Sequence, residues 1–199
     1  MNAPFVIAIT GSIGMGKSTT CALFEAEGVP VWDADAAVHR LYGPGGAATA
    51  RIGALCPAAL GEAGIDRAVL AEWIADDPGA LPRIEAIVHP LVAQDRADFI
   101  ARTDAPIVVL DIPLLFETGG AAMADHVVVV STDARTQRAR VMARPGMTDA
   151  KFETILARQL PDARKRAQAD TVIETDSPDT ARRAVQALLA QIRRKLADA

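Results

Sequence analysis

An α/β fold with a parallel sheet is what this 199-residue sequence predicts, and three features carry the prediction. Short β-rich runs recur at FVIAIT (5–10), VPVWD (29–33), PIVVLDI (106–112), HVVVVS (126–131) and TVIE (171–174), giving five expected strands. They are nearly continuous in apolar residues rather than alternating, the pattern of parallel strands covered by helices on both faces. Helical stretches lie between them. The chain is 50% apolar, enough to bury a sizeable core, and its length fits one globular unit with a smaller inserted lobe.

The first strand leads into GSIGMGKST, Gly11 to Thr19. Gly11, Gly16, Lys17 and Ser18 satisfy the G-x-x-x-x-G-K-[ST] pattern, with a strand before it and a helix-like run, CALFEAEG, after it. Glycines let the backbone wrap phosphate oxygens, and the amides at the helix start donate to them. Lys17 is suited to neutralising the β- and γ-phosphates, and Ser18 to ligating Mg²⁺. Gly11, Gly14, Met15, Gly16, Lys17, Ser18 and Thr19 are the expected nucleotide contacts of this loop.

The second strand runs directly into Asp33 and Asp35. A carboxylate there suits the orientation of an acceptor hydroxyl toward the γ-phosphate, and Asp33 is the candidate; a solvated turn or helix cap is the alternative for both acids. GPGGAA (43–48) then reads as a turn into a different region. The excursion from Ala34 to Ala105 is far longer than a simple crossover and reads as several helices, with Pro57, Pro78, Pro82 and Pro90 expected to divide it into short ones.

PIVVLDI ends near Asp111, whose carboxylate could hold the metal directly or through water. The excursion from Asp133 to Ala169 is helical and basic, and Arg140 and Arg144, four residues apart, share a helix face. Ser177 and Pro178 mark a final helix start, and Val185, Leu188, Leu189, Ile192 and Leu196 form an apolar stripe expected to pack in the core.

Bulk properties exclude some functions. A net charge of −4 gives no global attraction to nucleic acid or an anionic membrane. Cys21 and Cys56 lack metal-like spacing and read as buried small residues. MNAPFVIAIT has no basic lead into a signal-peptide core, and no apolar run approaches the roughly 20 residues a membrane span needs, so a soluble cytoplasmic protein, a monomer or weak homo-oligomer, is expected.

Phosphate loop and strand-end Asp111 together point to a nucleoside triphosphate with Mg²⁺, a combination shared by kinases, GTPases and motor ATPases. A guanine-reading Asn-Lys-x-Asp is missing, since Asn2 is the one asparagine of the sequence. A compact chain with a helical insertion and a basic segment fits a small-molecule kinase, which must exclude water from the transferring phosphoryl group. Another acceptor, or an ATP-gated interaction module without chemistry, remains open on these grounds.

Taken together, ITGSIGMGKST, DADAAVH, GIDRAVLAEWI, LPRIEAIVHPLV, LDIPLLFE, TQRARVMAR, ARQ (157–159) and ADTVIE resemble, in order and spacing, the dephospho-CoA kinase family. The resemblance implies ATP-dependent phosphorylation of the ribose 3′-hydroxyl of dephospho-CoA. It implies a P-loop nucleotide-binding core at 1–34, 104–132 and 170–199, a helical acceptor (CoA) lobe at 35–103 and a lid at 133–169. Asp33 matches the family's catalytic base, and Arg140 and Arg144 align with its lid arginines. Asp35, Arg67 of the GIDR motif, His89 of the His-Pro pair and Glu117 of PLLFE are the expected acceptor contacts; for His89 a structural hydrogen bond at a helix start is an equal alternative. Two departures stand out: Pro145 and Gly146 follow Arg144 where relatives place acidic residues, and Thr175, expected in the ATP site, stands near a usual Asn. Neither departure is expected to touch the phosphate loop or Asp33.

Overall fold

A computed structural model describes residues 3–198. In chain order the elements are β1 (Phe5–Thr10), α1 (Lys17–Ala26), β2 (Val31–Asp33), α2 (Ala34–Tyr42), α3 (Thr49–Leu55), β3 (Leu60–Gly61), β4 (Gly64–Ile65), α4 (Arg67–Asp76) and α5 (Ala80–Arg102). They continue with β5 (Ile107–Asp111), β6 (His126–Ser131), α6 (Ala134–Met142), α7 (Asp149–Ala157), α8 (Asp162–Arg166), β7 (Thr171–Glu174) and α9 (Pro178–Ala197). The main sheet has five strands in the order β2-β5-β1-β6-β7, with β1 central and parallel to both β5 and β6, and β7 parallel to β6. The chain separates into two compact units, one of residues 1–32 and 104–199 and one of residues 33–103.

In the first unit the strand pattern decides the layers. Ile7 and Ile9 of β1, Val109 of β5, Val128 and Val130 of β6 and Ile173 of β7 pack with Phe24 of α1 and with Val185, Leu188, Leu189 and Ile192 of α9. Alternate residues such as Ala8 and Val127 meet Leu115 on the opposite face. This two-sided burial is why the strands read as unbroken apolar runs. Helix α9 begins where Ser177 Oγ accepts the Thr180 N–H at 3.1 Å, with Pro178 in the first turn. Each fully buried aliphatic side chain on its stripe contributes about 1.5–3 kcal/mol. The stripe stops one residue short of expectation: Leu196 is 38% exposed, because the last turn of the helix carries Arg194 and Lys195 into solvent. Segment 133–169 clusters with this unit.

The second unit has its own core, in which Leu41, Ile52, Cys56, Ile65, Leu70, Ile84 and Val88 are buried together. Asp66 caps α4, accepting from the N–H groups of Ala68 (2.8 Å) and Val69 (3.3 Å). Arg40 of α2 pairs with Asp95 of α5 at 2.6 Å. Two features depart from the sequence expectation. A two-stranded hairpin, β3 and β4, interrupts the helices. And Pro82 and Pro90 do not divide α5, which runs unbroken for 23 residues. Pro82 falls in the first turn, where its missing N–H has no intrahelical partner to lose. Pro90 forfeits one hydrogen bond inside the helix, and the helix continues because Ile84 and Val88 before it are anchored in the core.

Candidate functional site

The loop between β1 and α1 is shaped by contacts from distant parts of the first unit. Gly14 and Gly16 take left-handed conformations (φ +79° and +91°) that side-chain-bearing residues rarely adopt. A Cβ on Gly16 would also lie 2.9 Å from Thr175 Oγ1, so the glycine admits Thr175 against the loop. Helix α1 then starts without a side-chain cap and without an acid in its first turn. Its leading amides, those of Lys17, Ser18 and Thr19, are therefore unneutralised donors at the positive end of a helix dipole, an arrangement that attracts anions. Ser18 and Thr19 are exposed there.

Met15 points the other way. Its side chain is 3% exposed, its sulfur accepts the Thr132 N–H at 3.3 Å, and its own N–H donates to Ser12 O at 3.1 Å. Met15 is thus an internal anchor of the loop. Its carbonyl accepts from Thr175 Oγ1 at 2.7 Å. This contact overturns the expectation that the residue at 175 leaves the phosphate loop untouched: Thr175 is 5% exposed and lies beneath the loop. Arg140 closes the set, donating from Nη1 to Thr175 Oγ1 (3.1 Å) and from Nη2 to Thr175 O (2.6 Å). Arg144 does not share a helix face with Arg140 as expected, because α6 ends at Met142 and Arg144 lies in the bend beyond it; it is exposed and makes no side-chain hydrogen bond or ion pair among the described residues.

Asp111, at the end of β5, is 3% exposed and forms an ion pair with Lys17. Its second oxygen lies 3.4 Å from Cys21 Sγ, which donates to it. Cys21 is buried, as read from the sequence, and in addition touches the strand-end carboxylate that the loop lysine neutralises. Its thiol is a weak donor, so orientation rather than energy is its contribution.

Glu117 is engaged within the same unit. Its Oε1 accepts the Leu160 N–H at 2.8 Å and lies 2.9 Å from Lys165 Nζ. The two form an ion pair, and the ammonium is completely buried. Burial pushes the Glu117 carboxyl up, but Lys165 and the N–H groups it accepts from outweigh burial and hold it below its ordinary value. Lys165 carried no signal in the sequence beyond its place in a basic run, where a solvated side chain is the ordinary expectation.

Remaining candidates belong to the second unit. Asp33 is exposed and caps α2, its Oδ1 accepting the Ala36 N–H at 3.0 Å; Oδ2 has no partner among the described residues. Asp35 is exposed in the first turn of α2. Arg67 opens α4 with its guanidinium 5.9 Å from the centre of the Tyr42 ring. Burial raises the Tyr42 hydroxyl above its ordinary pKa, and the Arg67 charge offsets part of the rise. His89 lies on an exposed face in the middle of α5, so the alternative of a hydrogen bond at a helix start is not met.

Known proteins match along nearly the whole chain. A sequence profile described as dephospho-CoA kinase matches residues 5–180. A dephospho-CoA kinase of Cereibacter sphaeroides is 60% identical over 190 residues, 96% of either chain. That of Ruegeria pomeroyi is 57% identical, covering 95% of this chain and 96% of its own. Among solved structures, one from Thermus thermophilus superposes with a TM-score of 0.85 at 34% identity, covering 96% of this chain and 98% of its own. A shikimate kinase from Acinetobacter baumannii, at 18% identity and a TM-score of 0.52, covers 96% of this chain and 94% of its own, and shares the fold alone. With the phosphate loop, the five-stranded parallel sheet and relatives of this identity over this length, the chain belongs to the dephospho-CoA kinase family.

Proposed function

We propose that this protein transfers the γ-phosphoryl group of ATP to the ribose 3′-hydroxyl of dephospho-CoA, giving coenzyme A and ADP. The observation that carries the proposal is a phosphate loop, with Lys17 held ready on Asp111, inside a chain that matches the family from residue 5 to 180. On this reading residues 35–103 receive the acceptor and residues 133–169 act as the lid over the nucleotide. Cytoplasm is the compartment in which such an enzyme meets ATP, and no helix among the described residues is long and apolar enough to cross a membrane.

Lys17 and the first amides of α1 bind the triphosphate. In doing so Lys17 exchanges a carboxylate for phosphate oxygens, so its charge is paired both before and after nucleotide binding. That exchange takes the lysine charge off the Asp111 carboxylate. Ser18 hydroxyl and Asp111 carboxylate are hard oxygen donors that suit Mg²⁺, and no group of three or more His, Cys, Asp or Glu side chains among the described residues could build a cage for a softer metal. When bound, Mg²⁺ would neutralise charge on the β- and γ-phosphates.

Asp33 is the proposed base. The ribose 3′-oxygen attacks the γ-phosphorus, the bond to the β–γ bridging oxygen breaks, and the hydroxyl proton passes to the carboxylate. Oδ1 serves as helix cap, which fixes the side chain, while the open Oδ2 meets the hydroxyl. The transition state is loose, so Asp33 chiefly orients the nucleophile and accepts its proton late. Arg140 and Arg144 stabilise charge developing on the transferring group. Asp35, Arg67, His89 and Glu117 are proposed contacts of the acceptor.

A panel of dephospho-CoA, AMP, CMP and shikimate, read by ATP consumption and by the position of phosphate on the product, tests this function. Dephospho-CoA should be strongly preferred, with the new phosphate on the 3′-oxygen. Comparable efficiency with AMP or CMP, or phosphate on another position, would overturn the assignment of the acceptor.

A further inference from the structure

Ile13 differs from its neighbours in the phosphate loop because both polar groups of its backbone are engaged by side chains from far along the chain. Its N–H donates to Gln159 Oε1 at 3.1 Å, and its carbonyl accepts from Gln137 Nε2 at 2.8 Å. Gln137 lies in α6 and is 6% exposed; Gln159 follows the end of α7 and closes the ARQ stretch. Neither residue has a part in the proposed chemistry. An amide side chain suits this task, since it supplies a donor or an acceptor without adding charge beside a loop that must receive a triphosphate. Partner chemistry also decides which way each amide faces, because a carbonyl requires the NH₂ and an N–H requires the oxygen.

Backbone packing at the same place limits where the loop can go. A Cβ on Gly14 would lie 2.5 Å from Val141 Cγ2 and 2.9 Å from Gln137 O, so α6 lies directly against the loop. Both glutamines also line a cavity of about 420 Å³ together with Ser12, Met15, Leu156 and Asp162, which leaves the far side of the clamp unfilled by side chains.

We propose that Gln137 and Gln159 are positioning residues that clamp Ile13 from both sides and so tie the nucleotide-binding shape of the phosphate loop to the position of the α6–α7 segment. A nucleotide that requires this loop shape favours the clamped arrangement, and displacement of the segment weakens nucleotide binding by the same factor. This inference rests on the reading of the loop as an ATP site.

Calorimetric titration with Mg-ATP, without acceptor, tests it. Gln137→Met and Gln159→Met keep the length of the side chain and remove the hydrogen bond; each should weaken ATP about fivefold to tenfold, the effect of one hydrogen bond. Because both grip the same residue, the double variant should lose less than the product of the two. A charge-matched pair gives the sharper measurement. Gln159→Glu keeps an accepting oxygen for the Ile13 N–H, whereas Gln137→Glu sets a carboxylate against the Ile13 carbonyl, and both add one negative charge beside the same residue. Gln137→Glu should bind ATP at least about fivefold more weakly than Gln159→Glu, and Gln159→Glu should recover part of what Gln159→Met loses. Equal affinity of the two Glu variants, or ATP binding within about twofold of the unsubstituted protein in both Met variants, overturns the clamp. Wild-type protein that binds ATP but fails to phosphorylate dephospho-CoA counts against the proposed function alone; wild-type protein that does not bind ATP counts against both.

Discussion

Two strands of the sheet end in aspartate, and the two ends are built in opposite ways. At the end of β5, Asp111 is 3% exposed and its partners, Lys17 and Cys21, come from 94 and 90 residues away. At the end of β2, Asp33 is exposed and, among the described residues, its carboxylate bonds to the backbone three residues on. A buried carboxylate with distant partners is a fixed charge around which the loop lysine is organised. An exposed one with a local bond holds its own helix and keeps one oxygen for whatever approaches from solvent. Similar sequence contexts, an apolar run closed by an acid, therefore serve different tasks, and burial separates them.

The largest effect expected from breaking this contrast is on turnover at Asp33. Asp33→Asn keeps a cap oxygen and removes the charge that receives the proton, so kcat should fall by about 10² to 10⁴-fold while ATP affinity by calorimetry and thermal stability stay near wild type. Near-normal turnover would make Asp33 a cap only, and Asp35 would be the next residue to test.

Lys17→Ala should cost about 10² to 10³-fold in kcat, as the loss of one preorganised charge contact does, and unlike Asp33→Asn it should also lower the unfolding temperature. Its removal takes away the ion pair of a carboxylate that is 3% exposed, so the two strand ends should separate in a stability assay as clearly as in a kinetic one. Turnover within about twofold of wild type would contradict electrostatic stabilisation at this site.

Arg140→Lys sharpens the comparison one step out, because Arg140 reaches the loop through a two-pronged grip on Thr175. Lysine keeps the charge and loses the fork. A fall of about tenfold in kcat, with a smaller change in the KM for dephospho-CoA, is expected. Equal rates for arginine and lysine would place Arg140 among ordinary surface cations.

The smallest effect concerns a third carboxylate, partly covered and titrating. Glu117 is held below its ordinary pKa of 4.5, so it takes up its proton less readily folded than unfolded. Its contribution to stability is therefore complete above that value and declines as pH falls through the folded pKa. In denaturant titrations the stability gap between wild type and Glu117→Gln should be constant from pH 7 to about 5 and should narrow below about 4.5. A gap that does not change with pH would show that the pair with Lys165 adds no charge-dependent stability.

Much of this was readable along the chain. The five strands announced themselves because a strand buried on both faces must be apolar at every position, and the phosphate loop did so because glycines at fixed spacing before Lys17 and Ser18 have few other uses. Segments with local causes were legible for the same reason: Ser177 and Pro178 start a helix by bonds and torsions within a few residues. Pro90 misled, because the local cost of a proline in a helix was outweighed by core contacts of α5 that lie elsewhere in the sequence.

Local pattern thus specifies the sheet, the phosphate loop, the start of α9 and, through motifs in order, the family. Tertiary structure alone decided which polar side chains hold that loop: Thr175 beneath Met15, Gln137 and Gln159 on Ile13, Cys21 on Asp111, and a fully buried Lys165 on Glu117. The physical reason is separation. A turn or a cap is completed within a few residues and leaves a pattern there, whereas a hydrogen bond between residues 124 or 146 positions apart leaves at each end only an ordinary glutamine and an ordinary isoleucine until the chain folds and brings them together.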